Sequence, residues 1–158
     1  MLTLPIQKKW YDMILSGEKK EEYRDIKEYY ETRFQNLFGA ITIYPSSVFP
    51  DKNTYVLLQG DAVPEEIRKD GVQEIIFRNG YSKNSKSIKA RCRLRIGKGR
   101  PEWGASPDKQ YYILEILNVE KMAADKAGDE YLEKLEKEYE LTSAGIDAIM
   151  NYVPEDEE

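Results

Sequence analysis

Apolar and polar residues alternate strictly along the segment IKARCRLRI, from Ile88 to Ile96. A period of two is typical of a β-strand with one buried and one exposed face. The preceding segment VQEIIFR ends at an Asn-Gly pair, which predicts a hairpin, and the polar YSKNSKS after it predicts a long tip. Five other segments predict strands, of which the charged KKEEYRDI is the least apolar. They are LTLPI, KKEEYRDI, AITIY, TYVLLQ and QYYILEILNV.

Apolar residues recur with helical spacing in two segments near the start of the chain. One stripe runs from Ile6 to Ile14, and Gly17 stands where that helix would end. A second stripe runs from Ile26 to Leu37 and is followed by Gly39. The segment PEEIRKDG, with proline near its start and glycine at its end, predicts a further short helix.

Charge divides the chain near residue 120. Residues 1–119 contain 20 Lys and Arg against 16 Asp and Glu, whereas residues 120–158 contain 4 against 13. The segments DEYLEKLEKEYEL and AGIDAIMNYV in the acidic part have helical spacing. We therefore predict a mildly basic domain over 1–119 and an acidic, helical C-terminal extension over 120–158.

These strands, with helices at both ends, favour an α+β fold, a small, partly closed β-barrel of five or six strands with flanking helices and a C-terminal helical annex. Strands between 72 and 119 follow one another without crossover helices, which argues against a parallel α/β fold. No apolar run reaches the roughly 18 residues that a membrane span needs. The first residues lack a signal-peptide pattern, so we expect a cytoplasmic protein.

The chain contains no histidine, which narrows its chemistry. Ser-His and Cys-His nucleophile pairs and the HExxH metal site are excluded. The single cysteine, Cys92, has apolar neighbours on its strand face and is interpreted as a small buried residue. We predict neither a metal nor a cofactor, and any catalysis would depend on Lys, Glu, Asp, Tyr, Thr or Ser.

The segment SGEKKEEYR, which follows the first predicted helix, is the densest charged motif. Its Gly17-x-Lys19-x-x-Glu22-x-Arg24 pattern matches the GxKxxExR signature of the ASCH domain family, whose fold resembles the PUA RNA-binding barrel. The segments LPIQKKWYDMILSGEKKEEYRDI and IIFRNGYSKNSKSIKARCRLRIGKGRPEWG also resemble small ASCH proteins of phages and prophages. The resemblance covers most of residues 2–30 and 74–117.

This resemblance implies a PUA-like barrel that binds RNA or a nucleotide-like ligand in a cleft beside the motif. Some ASCH proteins hydrolyse an acylated cytidine nucleoside and others are described as ribonucleases, which implies Lys19 and Glu22 as a catalytic pair. The cytidine amidohydrolases carry threonine where this chain has Glu22, so that activity is not carried over with the motif. The remaining residues assigned to the ligand site are Gly17, Tyr23, Arg24, Arg78 and Trp103.

The same residues also allow a purely structural interpretation. Gly17 suits a helix end, and Glu22 and Arg24 suit a same-face pair that supports the sheet. Strict alternation places Lys19 on the other face unless the turn after Gly17 redirects it. Both interpretations remain open at this point.

A row of four cations follows the polar face of the IKARCRLRI strand. Their mutual repulsion favours an anionic partner, and a nucleic-acid backbone is a natural one. Pairing with the acidic C-terminal helix, or protection of a strand edge, are the alternatives. The row consists of Lys89, Arg91, Arg93 and Arg95.

In the Gly/Pro-rich loop that follows this strand, Trp103 is a candidate for base stacking. A third functional hypothesis is a protein-interaction role, in which the C-terminal helix contacts a protein partner.

Overall fold

The computed structural model describes residues 2–44, 54–82 and 84–122, which form an α+β fold. Every predicted strand segment contains a strand. The strands are β1 (Leu2–Ile6), β2 (Glu21–Arg24), β3 (Ile41–Ile43), β4 (Val56–Leu58), β5 (Val72–Asn79), β6 (Ser87–Lys98) and β7 (Gln110–Lys121). The two α-helices of this part of the chain are α1 (Lys8–Ser16) and α2 (Glu28–Phe38).

The strands form two sheets, a division that periodicity does not reveal. Five strands hydrogen-bond in the order β1-β5-β6-β7-β2, while β3 and β4 form an antiparallel pair of their own. β1 runs parallel to β5, with Leu2 opposite Ile75. β2 runs antiparallel to β7, with Glu22 opposite Leu114. The first sheet is therefore mixed, and the motif strand β2 pairs with β7.

The described chain divides into two compact units. The first consists of residues 2–19, 75–90 and 118–122. It contains the parallel pair of β1 and β5, and the Gly80 N–H extends this pairing by donating to the carbonyl of Ile6 at 3.2 Å. Its buried apolar side chains include Leu4, Ile14 and Phe77, which supply the hydrophobic burial that stabilises this unit.

The second unit consists of residues 20–44, 54–74 and 91–117. Helix α2 lines its core with aromatic rings, because Tyr30, Phe34 and Phe38 recur at intervals of four residues on one helical face. Phe34 stands edge-to-face against Tyr112 of β7, with ring centroids 5.1 Å apart. This contact packs α2 against β7 beside the motif strand.

Helix α1 ends at Gly17, as its sequence predicts. Gly17 has φ of 87° and donates its N–H to the carbonyl of Ile14, an αL helix end that glycine adopts without steric cost. The predicted helix in PEEIRKDG is a single 3-10 turn at Glu65–Ile67. The helix stops there because Arg68 returns to extended backbone.

Strand β7 continues to Lys121, two residues past the predicted domain boundary at 119. The predicted loop over 45–53 and the predicted helices after 122 lie outside the described residues. Within the described ranges, neither helix has the length and apolar character needed to cross a bilayer.

Candidate functional site

The side chains of β2 alternate between two faces of the sheet in the second unit. Glu22 and Arg24 point to one side, which we call the Glu22 face. Glu21 and Tyr23 point to the other, which also carries Arg95 because that side chain forms an ion pair with Glu21. We call this second side the Arg91 face, since alternation along β6 places Arg91 and Arg93 beside Arg95.

A buried ion pair occupies the Glu22 face. Nη2 of Arg24 lies 3.4 Å from Oε2 of Glu22, and the two side chains are 15% and 8% exposed. Nη1 of Arg24 donates to the hydroxyl of Tyr30 in α2 at 3.3 Å. Burial by itself lowers the pKa of Arg24, but the Glu22 carboxylate and the Tyr30 hydroxyl outweigh it and raise that pKa above its ordinary value. The predicted same-face pair is confirmed.

Hydroxyl groups continue the polar character of this face beyond the ion pair. Tyr112, which stands opposite Arg24 in the β2–β7 register, has its hydroxyl 2.5 Å from Oγ1 of the buried Thr42. Burial raises the pKa of Tyr112 above its ordinary value. The sequence does not predict this pair, because nothing in AITIY or QYYILEILNV indicates that two residues 70 positions apart share a hydrogen bond. The face can offer hydroxyl donors and acceptors as well as charge.

Lys19 lies in the first unit and is only 1% exposed. Its ammonium group sits 4.9 Å from the ring centroid of Trp10, within range of a cation–π interaction. The Lys19 N–H donates to the carbonyl of Met13 at 2.9 Å, which ties the residue to the end of α1. A buried lysine is uncommon and marks this position as a candidate site.

Two other residues predicted to bind the ligand, Gly17 and Arg78, lie at the end of α1 and in β5. A Cβ added at Gly17 would lie in open space. Glycine is therefore favoured there by the backbone conformation and not by close contact with a neighbouring group. Arg78 lies half-buried in β5 of the first unit, opposite Pro5.

Two carboxylates neutralise one member of the basic row on the Arg91 face. Nη2 of Arg95 lies 2.6 Å from Glu21, and Nε of Arg95 lies 3.0 Å from Glu115. Glu21 and Glu115 are register partners on β2 and β7. These strands therefore supply counter-charges to Arg95, while the predicted acidic helix lies outside the described residues.

The other members of the row differ in exposure. Arg91 and Arg93 are exposed to solvent, whereas Lys89, which belongs to the first unit, is partly buried. The row therefore presents two exposed guanidinium groups next to a third that is already paired.

The loop after β6 folds onto the same face through Tyr23. The Tyr23 hydroxyl donates to Glu21 at 2.7 Å and accepts the Arg100 N–H at 2.9 Å. Burial raises the pKa of Tyr23 well above its ordinary range, with the adjacent Glu21 adding to the effect, so the phenol stays neutral and keeps its proton to donate. The Tyr23 ring packs on a small cluster of buried residues. That cluster is Ala105, Tyr111 and Ile113.

The Glu22 pair and the exposed arginines lie on opposite faces of the sheet. Cys92 alternates with Arg91 and Arg93 and is fully buried. Burial, with a smaller effect of the Glu22 charge, raises the pKa of its thiol to about 12, so Cys92 is not a nucleophile. A ligand spread along the exposed arginines therefore does not contact the Glu22–Arg24 pair through the sheet.

Among the described residues, no group of three or more His, Cys, Asp or Glu is placed to hold a metal ion. Comparisons with protein-family models, with curated proteins and with solved structures gave no match to the chain.

Proposed function

We propose that this chain is a cytoplasmic RNA-binding domain of the ASCH type, with a PUA-like barrel fold. The RNA backbone would lie along the Arg91 face of the second unit. The resemblance of the GxKxxExR segment suggests this class of protein, and the charge arrangement on β6 supports an anionic polymer as the ligand.

The observation that carries the proposal is the contrast within the basic row. Arg95 is held by Glu21 and Glu115, whereas Arg91 and Arg93 are exposed on the same face. Two like charges two residues apart on one strand repel each other unless an anion lies between them or beside them. Guanidinium groups bind phosphate through paired hydrogen bonds, which makes this arrangement suited to a nucleic-acid backbone.

Fluorescence anisotropy of a short labelled single-stranded RNA across a salt series tests the proposal. Removing two phosphate contacts with Arg91→Gln/Arg93→Gln should lower the affinity and flatten the log–log salt dependence by about 1.4, because each contact on a single strand contributes about 0.7. Lys8→Gln/Lys69→Gln removes the same charge from exposed positions elsewhere and is the matched control. Equal affinities for the two double variants would reject the Arg91 face as the binding surface.

A hydrolase is the second candidate function, for which the ASCH resemblance suggests Lys19 and Glu22 as the catalytic residues. Its support is that both residues are buried, with 1% and 6% of the whole residue exposed, which is unusual for these residue types outside functional or paired sites. Modified nucleosides and RNA are the substrates that the ASCH resemblance suggests. The structural explanations, a cation–π contact for Lys19 and an ion pair for Glu22, compete with this candidate.

Product formation distinguishes the two candidate functions. RNA recovered from the binding titration is checked for shortening, and acylated nucleosides incubated with the protein are checked by mass spectrometry. Lys19→Ala should abolish any turnover, whereas Lys20→Ala changes an exposed lysine next to it and should not. Turnover that survives Lys19→Ala in a folded variant would reject Lys19 as the catalytic residue.

A further inference from the structure

The loop between β6 and β7 carries a stacked arginine and tryptophan. The guanidinium carbon of Arg100 lies 4.7 Å from the ring centroid of Trp103. The Arg100 side chain is 62% exposed and its ion pair with Glu102 is long, at 3.6 Å, so the pair offers little competition for a ligand. Trp103 itself is partly exposed.

Hydrogen bonds within the loop fix the backbone that carries these two side chains. Pro101–Trp103 forms a 3-10 turn, and the Trp103 N–H donates to the carbonyl of Arg100 at 3.0 Å. The Ala105 N–H donates to the same carbonyl at 3.2 Å. The turn closes at Gly104, whose φ of 104° is favourable for glycine.

Tyr23 of β2 connects the loop to the sheet. The Tyr23 hydroxyl accepts the Arg100 N–H. The Tyr23 ring packs so closely on Gly99 that an added Cβ there would lie 2.5 Å from a ring carbon. The loop backbone at Gly99 and Arg100 is therefore held against the sheet before any ligand arrives, which reduces the entropy lost on binding.

The loop that carries the stacked pair lies against the same face as the exposed arginines, because its Arg100 N–H donates to Tyr23. Glu21 accepts from Tyr23 through one oxygen and from Arg95 through the other, so the support of the loop and the basic row share one carboxylate. From Arg95 the row continues to Arg93 and Arg91 in steps of two residues, roughly 6.6 Å each along a strand. An aromatic group stands at one end of the row and exposed cations stand at the other.

We infer that Arg100 and Trp103 form a stacking platform for one unpaired base, and that the ligand is single-stranded. The inference rests on the proposed function and specifies its ligand. An unpaired base stacks on a guanidinium plane or an indole ring, whereas a base inside a duplex has both faces covered by its neighbours. Because every base has a π-face, this platform selects strandedness and tolerates any base.

Binding of a single strand and of a duplex of equal length to the full chain tests the platform. Trp103→Leu should weaken single-strand binding about 5- to 150-fold, the range found when a base-stacking aromatic is removed. The same change should leave duplex affinity and the salt dependence unaltered. Trp103→Phe keeps an aromatic ring and should recover most of the loss.

Binding of single-stranded DNA to Trp103→Leu is measured in parallel. An equal loss there supports recognition of the base alone, and a loss confined to RNA supports a platform reached only by RNA.

Intrinsic fluorescence supplies a readout that a merely structural role of Trp103 would not change. The chain has two tryptophans, Trp10 and Trp103. Quenching by the single strand should persist in Trp10→Phe and vanish in Trp103→Phe. Unchanged single-strand affinity in Trp103→Leu, or an equal loss for single strand and duplex, would overturn the platform. Failure of the proposed function is recognised separately, since it leaves Arg91→Gln/Arg93→Gln without effect.

Discussion

The hydroxyl of Tyr23 accepts a hydrogen bond from the backbone N–H of Arg100 at 2.9 Å, across 77 positions of the chain. Tyr23 belongs to the charged motif strand β2, and Arg100 opens the loop that carries Trp103. The same hydroxyl donates to Glu21, which in turn holds Arg95. One phenol therefore joins the motif strand, the loop and the basic row, and the tyrosine of the motif segment acts chiefly as a positioning residue.

Tyr23→Phe removes both hydrogen bonds of the hydroxyl and should lower the free energy of unfolding by about 2 kcal/mol, at about 1 kcal/mol for each bond. Tyr23→Ala also removes the ring that packs on Gly99 and Tyr111, so its cost should rise to about 3–5 kcal/mol. Urea unfolding of both variants measures the difference. Equal losses for Phe and Ala would show that the ring contributes nothing beyond the hydroxyl.

Two glycines with positive φ provide a matched pair for a second prediction. Gly17→Ala should cost about 1–2 kcal/mol, the strain of an αL conformation with open space around the new Cβ. Gly39→Ala adds a collision with the carbonyl oxygen of Ile67 and a 2.7 Å approach to the Lys69 nitrogen, which should bring its total cost to about 2–5 kcal/mol. Thermal unfolding of the two variants should place Gly39→Ala clearly lower. Equal melting temperatures would mean that residues 67–69 do not lie against Gly39.

The Glu22–Arg24 pair should behave as a buried ion pair. Glu22→Ala leaves the Arg24 charge buried without its carboxylate and should cost about 3–5 kcal/mol. Asp12→Ala breaks the exposed pair with Lys8, whose side chains are 73% and 52% exposed, and should cost no more than about 0.5 kcal/mol. Chemical denaturation of both variants makes the comparison.

Joint replacement of Glu22 and Arg24 by leucine separates stability from function. Removing both charges together should restore much of the stability lost in Glu22→Ala, since no uncompensated charge remains. If the pair serves structure alone, single-strand RNA binding by the double variant should match that of the original chain. Loss of RNA binding in a stable double variant would instead assign a ligand role to the Glu22 face.

Cys92 provides a prediction for alkaline pH. The pKa of its thiol is raised to about 12 in the folded protein, from an ordinary value near 9.0. Below pH about 9 both states keep the proton and stability is unaffected by this group. Above it the unfolded chain loses the proton first, so the thiol favours unfolding increasingly as the pH rises toward 12. Cys92→Ala should show a shallower fall in stability over that window.

Thiol labelling checks the same assignment directly. A thiol-specific reagent at pH 8 should modify Cys92 slowly in the folded chain and rapidly in urea, because the folded thiol is buried and protonated. Rapid labelling of the folded protein would contradict the burial of Cys92.

Local patterns in the sequence predicted the elements well. The alternation around Cys92 correctly assigned the buried and exposed sides of β6, because a strand's period of two depends only on neighbouring residues. Gly17 and Gly39 correctly marked the ends of two helices, because an αL residue is a local backbone requirement. The predicted short helix in PEEIRKDG was reduced to one 3-10 turn, since a segment of this length is marginal as a helix without supporting contacts.

These local patterns did not predict which residues distant in the sequence form ion pairs or hydrogen bonds with one another. The basic row predicted an anionic partner, with pairing to the acidic C-terminal helix as one alternative. The pairing of Arg95 with Glu21 and Glu115 follows instead from the pairing of β2 with β7. Thr42 lies between two isoleucines in β3, yet it is the buried residue of the three, and its contact with the Tyr112 hydroxyl offsets the cost of burying its own hydroxyl. A polar residue on a buried face is recognisable only once its partner is known.

The sequence by itself determined the α+β class, the strand and helix segments, and the same-face relation of Glu22 and Arg24, all of which depend on spacing along a few residues. Only the tertiary structure decided the division into two sheets, the two faces that separate the Glu22 pair from the exposed arginines, and the support of Arg100 by Tyr23. Those features depend on which strands pair and in what register. Pairing of this kind is set by burial and hydrogen bonding summed over the whole fold, which no local pattern encodes.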